Sequence, residues 1–226
     1  GGGTGTGGSM ARFTIIGNHL YAISTTNMDI ISLAQPTAPE FISTINLGWG
    51  IETIFPYCDK LFIGSNSGMF IYDNSNPAAP VQLSAFAHAR ACDPVFVKDN
   101  YAYVTLRDGN ECQGFINQLD LVDISDLENP FLVESFPMNN PHGLTIRGDH
   151  LMLCEGVYGL KAFDISNPSV LDDKQLDHYE GVHAFDAISL PGNAPITMVI
   201  GEDGFYQFLF KADEGFRLLS RIENGK

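Results

Sequence analysis

No apolar run in these 226 residues approaches the ~18 that cross a bilayer, so no spanning helix is expected. Positive charge is scarce: 12 Lys and Arg stand against 27 Asp and Glu, a net charge of −15. Such a surface repels phosphate backbones and anionic lipid, which excludes general nucleic-acid binding and electrostatic attachment to membranes. An acidic surface chiefly serves solubility; the alternative use is a cationic or metal partner. Cysteine is sparse too. Cys58, Cys92, Cys112 and Cys154 show no C-x-x-C spacing, which excludes a zinc ribbon or a thioredoxin-like motif. They are also too few for a disulfide framework at this length. No segment sustains a 3.6-residue apolar stripe, so helix should be nearly absent.

What is present is repetition. The chain is long enough for one large domain or two small ones, and for a sizeable core. Residues 1–9, Gly-Gly-Gly-Thr-Gly-Thr-Gly-Gly-Ser, read as a flexible linker that carries no fold information. They are either an expression remnant or a tether behind a lipidated N-terminal cysteine, and threonine among the glycines favours the tether. Residues 10–226 read as a single domain.

Within it the phrase Gly159-Leu-Lys-Ala-Phe-Asp164-Ile-Ser-Asn-Pro168 recurs as Gly68-Met-Phe-Ile-Tyr-Asp73-Asn-Ser-Asn-Pro77. It returns, with two extra turn residues, as Gln118-Leu-Asp-Leu-Val-Asp123-Ile-Ser-Asp-Leu-Glu-Asn-Pro130. Around it, from Phe13 onward, five units repeat at roughly 40 residues, the period range of propellers and solenoids. Each unit holds four short runs rich in β-branched and aromatic residues. Asn18-His19, Asp59-Lys60, Asp99-Asn100 and Asp149-His150 fall between first and second runs, where Asp and Asn tolerate a tight hairpin. The fourth run of the fourth unit is expected over Leu171 to Tyr179. The fold class is therefore all-β, a five-bladed β-propeller of four-stranded antiparallel blades, with six blades or incomplete closure as the alternative. Innermost strands should be apolar on both faces, because neighbouring blades cover them.

Tyr101-Ala-Tyr-Val104, Leu121-Val-Asp-Ile-Ser125 with Asn129-Pro130, and Ala162-Phe-Asp-Ile-Ser-Asn-Pro168 resemble the LVIVD repeat. Units two to four carry the likeness. Unit one departs, with Ile31-Ser-Leu-Ala-Gln-Pro36 in place of the Asp turn, and unit five departs further. The resemblance implies a propeller exported by a bacterium, a periplasmic or outer-surface lipoprotein. It supplies no catalytic residues.

If innermost strands start on one face of the disc, called the top, the Asp-x-Ser-Asn-Pro turns lie on the bottom. The top then gathers the irregular links and the loops between second and third strands, where binding residues usually sit. Ligand-binding candidates there are Trp49, Glu52, His88, Arg90, Asp93, Arg107, His142, Tyr158 and His183. Glu52, Asp93, His142 and His183 stand at or just before successive innermost strands and point at the axis. That set suits a divalent metal such as zinc or manganese, or paired carboxylates for hydrolysis; the bland alternative is the wet mouth of a channel. No other cofactor is implied. Cys92 and Cys112 fall on one face of one blade, so a disulfide between them is a candidate. Cys58 and Cys154 read as buried small hydrophobes. Trp49, between two glycines, is a plug over the core or an anchor for a sugar or protein partner, with the plug favoured. The reading that results is a binding module for a protein or glycan, with a hydrolase or metal-dependent enzyme as the alternative.

Overall fold

Among the described residues the β-branched and aromatic runs form twenty strands. The structure, a computed structural model, describes residues 8–87, 94–107 and 117–225. The first sheet holds β1 (Phe13–Ile16), β2 (His19–Ile23), β3 (Asn27–Ser32) and β4 (Glu40–Asn46). The second holds β5 (Ile51–Tyr57), β6 (Lys60–Ser65), β7 (Gly68–Asp73) and β8 (Val81–Ala87). The third holds β9 (Val95–Lys98), β10 (Tyr101–Leu106), β11 (Gln118–Asp123) and β12 (Phe131–Pro137). The fourth holds β13 (Leu144–Arg147), β14 (His150–Cys154), β15 (Leu160–Asp164) and β16 (Gln175–Tyr179). The fifth holds β17 (Ala184–Ser189), β18 (Ile196–Gly201), β19 (Gly204–Lys211) and β20 (Gly215–Glu223). Each is an antiparallel meander ordered first to fourth, as the repeat predicts, and the fold is of the β-propeller type. Among the described residues no helix is long and apolar enough to cross a membrane.

Among the described residues the one helical piece is a 3-10 segment, Pro168–Lys174, which replaces the first half of the strand expected from Leu171. Leu171 is fully buried there, against the apolar layer between the third and fourth sheets, and pairing begins only at Gln175.

The repeat phrase acts as the sequence suggests. Asp73, Asp123 and Asp164 each accept a bond at Oδ1 from the backbone N–H two residues on, at 3.1, 2.8 and 2.8 Å. Ser32 performs the same task in the first sheet, accepting from Ala34 N at 3.3 Å. At the hairpins the left-handed residue falls one place earlier than expected, at Gly17, Cys58 and Gly148; only Asp99 matches. Cys58 is consequently exposed at the tip of its turn rather than buried, whereas Cys154 is buried. Gly159 and Gly204 open third strands for a second reason besides positive φ: a Cβ there would strike the Tyr179 or Ile222 carbonyl oxygen of the facing outer strand.

The sheets pack face to face in series, with one apolar layer between each consecutive pair. Polar ties follow the same seams. Tyr21 Oη of the first sheet donates to Asn74 Oδ1 (2.9 Å) and Pro77 O (3.0 Å) in the repeat turn of the second. Ser84 Oγ donates to Leu127 O in the third at 2.6 Å. The three middle sheets are covered on both faces, so consecutive residues of their second strands are all buried: Leu61-Phe62-Ile63, Ala102-Tyr103-Val104 and Leu151-Met152-Leu153.

The end sheets differ. In the first, Thr14, Tyr21, Ile23, Met28 and Ile30 face the second sheet and are buried. The opposite face carries Phe13, Ile15, Leu20, Ala22, Asp29 and Ile31, cross-strand partners of one another. Phe13 is 63% and Ile15 48% exposed. The innermost strand of unit one is thus apolar on both faces but covered on only one, contrary to expectation. The fifth sheet mirrors it: Val199, Tyr206 and Phe208 are buried against the fourth sheet, while Ile188, Met198, Ile200, Phe205, Gln207 and Leu209 face away. Among the described residues no apolar layer joins the fifth sheet to the first.

Ile63→Ala, which opens a void between two packed sheets, should cost about 2–5 kcal/mol in urea unfolding. Asp164→Ala should destabilise at neutral pH. Its backbone hydrogen bond to Ser166 holds the Asp164 carboxyl below its ordinary range, so its contribution exists above that range and disappears as acid protonates it. Wild type and variant should converge below about pH 4, and a constant gap would contradict this role.

Candidate functional site

Residues at or just before the first strands of the second, third and fourth sheets, among them Trp49, Glu52, Pro94 and His142, meet around a cavity of about 310 Å³ at the top of the axis. Trp49 stands at its rim. Gly48 and Gly50 take φ of +94° and +81°, conformations that lift the indole out of the chain's path. Trp49 is 75% exposed, so it is not a plug over the core. Glu52 lines the cavity because the β5–β6 register shifts between Ile51 and Thr53, a bulge that re-aims the intervening side chain.

Arg107 and His142 line the opposite side. His142 is fixed by its backbone: its N–H donates to Cys154 O (2.7 Å) and its carbonyl accepts from Thr105 Oγ1 (2.8 Å). Its Nε2 lies 3.1 Å from Arg107 Nη1. A guanidinium only donates, so Nε2 is the acceptor and the ring proton sits on Nδ1. Burial, then the charges of Arg107 and His183, lower the His142 pKa to about 4, leaving a neutral imidazole at neutral pH.

Four of the candidate residues therefore share one cavity: Trp49, Glu52, Arg107 and His142. His183 does not line it. Its Nδ1 pairs with Glu202 Oε2 at 2.6 Å and its ring lies against Phe185, which also touches His142. Tyr158 stands apart on a top turn of the fourth sheet, its carbonyl bonded to the His178 ring. His88, Arg90, Asp93, Cys92 and Cys112 lie outside the described residues. Among the described residues no three His, Cys, Asp or Glu side chains are gathered to hold a metal, so Glu52, His142 and His183 do not form the expected set. Glu155, another top residue, is structural: it is fully buried, 2.5 Å from Lys161 Nζ, and accepts from Asn139 N and Nδ2.

Sequence reasoning missed Arg12, Asn66 and the floor of the cavity. Arg12 precedes β1 and obeys the positional rule that selected Glu52. Met10 closes the cavity from below; it belongs to the segment Gly8–Ala11, whose first two residues have the linker's composition. Ser9 is fully buried; its hydroxyl accepts from Leu144 N at 2.7 Å in the fourth sheet. Ala11 O accepts from Ile54 N at 2.8 Å in the second. Asp186, on β17 of the fifth, accepts from Met10 N and lies 3.5 Å from Ser9 Oγ. Gly8 and Gly143 press on the Asp186 carboxyl so closely that neither position admits a Cβ. Burial raises its pKa to about 6. The segment thus crosses the axis and ties three sheets together.

Residues 89–137, spanning the third sheet, match the LVIVD repeat. The chain carries an LVIVD repeat. No curated protein matches the sequence. Many solved structures share the fold. A protein from Lactobacillus plantarum is 12% identical with a TM-score of 0.73 over 92% of this chain and 73% of its own. The periplasmic gluconolactonase PpgL of Pseudomonas aeruginosa is 12% identical with a TM-score of 0.70 over 92% and 68%. The computationally designed Ika8 protein is 12% identical with a TM-score of 0.64 over 93% and 60%. The chain thus spans about three fifths to three quarters of these structures. At such identity the likeness concerns the fold alone. Pro94 and Arg107 of the matched repeat line the cavity, so the repeat supplies part of its wall.

Two titrations here oppose one another. His142 takes up its proton at about 4 when folded against 6.5 ordinarily, so its contribution makes stability rise with pH between those values. Asp186 has a folded pKa of about 6 against 3.8, so its contribution makes stability fall as pH rises through that range. The wild type should be nearly flat between pH 4 and 6 in urea unfolding, whereas Asp186→Asn should gain stability steadily up to about pH 6.5. A variant as flat as the wild type would contradict the assignment.

Proposed function

We propose that this chain is the ligand-binding module of an exported, surface-anchored protein, and that its top cavity takes a small saccharide. The observation that carries the reading is the exposed Trp49 indole at the rim of a cavity that also presents Arg12, Glu52, Asn66, Arg107 and His142. An indole held clear of the core offers an apolar face to one side of a sugar ring. Arg12, Asn66, Arg107 and Glu52 supply donors and an acceptor for the ring's hydroxyls. The volume sits at the small end for ligand sites, which suits one or two sugar units better than the broad surface of a protein partner. Export and anchoring rest on the repeat family's character and on the tether-like composition of residues 1–7.

A second reading, hydrolysis of a sugar lactone, is favoured by the neutral His142 and the Glu52 carboxylate lining the same cavity. The gluconolactonase among the structural neighbours supports considering it.

Trp49 is the only tryptophan, so intrinsic fluorescence reports on this rim alone. Titration with neutral and uronic mono- and oligosaccharides should shift its emission, and Arg107→Ala should weaken the response about tenfold or more. Trp49→Ala should lose binding by calorimetry. Should no saccharide perturb the emission or release heat, the binding reading fails. Glucono-lactone turnover abolished in Glu52→Gln would instead establish the second.

A further inference from the structure

The turn that follows a third strand does more than return the chain: it also closes the lower mouth of the seam with the sheet before it. In the first seam Tyr21 Oη donates to Asn74 and to Pro77 O of the second sheet's turn. In the second seam Leu127 packs on the apolar layer and its carbonyl accepts from Ser84 Oγ. In the third, Leu171 is buried in the layer itself. The fifth sheet has no such turn. Its β19 runs on to Lys211 and pairs there with Gly215, the first residue of β20. The seam between the fourth and fifth sheets therefore keeps an open lower mouth, a cavity of about 650 Å³. We infer that this cavity is a second ligand site, and that it takes a small molecule with an apolar body and one carboxylate.

The lining has two parts. Met152, Pro195 and Phe210 supply apolar surface, and Met152 and Phe210 belong to the layer that packs the two sheets together. Arg147, His150 and Lys211 bring basic side chains to the same cavity in a chain that has few. The charge of Arg147 is not met by the protein. Lys98 and Arg147 hold equivalent places, each the last residue of a first strand. Lys98 Nζ reaches the hairpin of the next sheet and meets the Asp149 carboxylate at 2.9 Å. Arg147 also reaches the next hairpin but finds carbonyls there: Nη1 donates to Leu190 O and Nη2 to Gly192 O, both at 2.5 Å. Those bonds fix the guanidinium without neutralising it and use two of its five N–H donors. Among the described residues no carboxylate pairs with it. Asp149, which also lines the cavity, is matched by Lys98. Lys211 pairs with Glu214 on open surface, 45% and 56% exposed, where an ion pair is worth little. A ligand carboxylate supplies the missing partner for Arg147, and an apolar body attached to it lies against Phe210 and Met152. The volume falls within the range of small-molecule sites.

The test is NMR of the chain isotopically labelled at its methionine methyl groups. Met152 reports this cavity, Met10 the top one, and Met198 the outward face of the fifth sheet. The probes are naphthylacetate and octanoate, with their uncharged amides as controls. Either acid should shift the Met152 signal, assigned with Met152→Leu, and leave Met10 and Met198 in place. The amides should bind about tenfold or more weakly, having lost the charge-assisted bonds. Arg147→Gln should weaken the acids by about the same factor, and Lys211→Gln by less. Because Arg147 also holds the loop between β17 and β18, Arg147→Lys separates charge from anchoring: it should recover part of the affinity. Asn193 is exposed on that loop, so Asn193→Trp should obstruct the cavity without disturbing the core. A Met152 signal that neither acid moves, amides that bind as well as the acids, a response confined to Met10 or Met198, or full binding in Asn193→Trp would each overturn the inference.

Discussion

A four-stranded sheet whose two faces are both apolar cannot stand alone in water. It must be covered on each side, and every other feature of this molecule answers that requirement. Covering sheet by sheet places first strands side by side around an axis and sends fourth strands to the rim. Stacking five sheets gives four interfaces, each with its own apolar layer. The fully buried triplets in the middle sheets and the alternating pattern in the end sheets are one rule seen with two neighbours and with one.

Converging strands create a second problem at the axis. First-strand N–H groups there, such as those of Leu144 and Ile54, need acceptors, and a channel too narrow for bulk water offers few. The segment Gly8–Ala11 provides them through Ser9 Oγ and Ala11 O. Only small residues fit that crossing, which accounts for Gly8 and for Gly143 opposite it. Closing the axis there also gives the cavity its floor, with Met10 on the cavity side. Asp186 experiences both consequences: it anchors Met10 N, and in losing solvent it becomes a weaker acid. Structural closure and the shape of the site are therefore one arrangement.

Much of this was legible in the sequence because repetition multiplies weak signals. A single Asp-x-Ser-Asn-Pro is a turn among many, but three at one period set strand order, register and the face on which each loop falls. That register placed Trp49, Glu52, Arg107 and His142 on the top face, although the set expected to converge was Glu52, Asp93, His142 and His183. What stayed hidden depends on features that do not repeat. Phe13 and Ile200 have the composition of buried strand residues, and only the absence of a neighbour exposes them. Cys58 has the character of a core residue, but its backbone takes the left-handed turn position usually given to Asn or Gly. Ser9 closes a glycine-rich stretch whose composition says linker, and its burial depends on sheets more than a hundred residues away.

The same logic separates scaffold from site. Bottom turns repeat because each must return the chain to the outer strand and also dock against the adjoining sheet, as Asn74 and Leu127 do. A residue under both demands has little freedom to acquire a third. Top links carry only the first demand: they pass from the rim of one sheet to the axis of the next, and any length or composition that spans the gap suffices. Bulges at their ends, such as the one at Glu52, then turn side chains inward without disturbing the layers below. The candidate ligand residues gather at the top because sheet packing makes the fewest demands there.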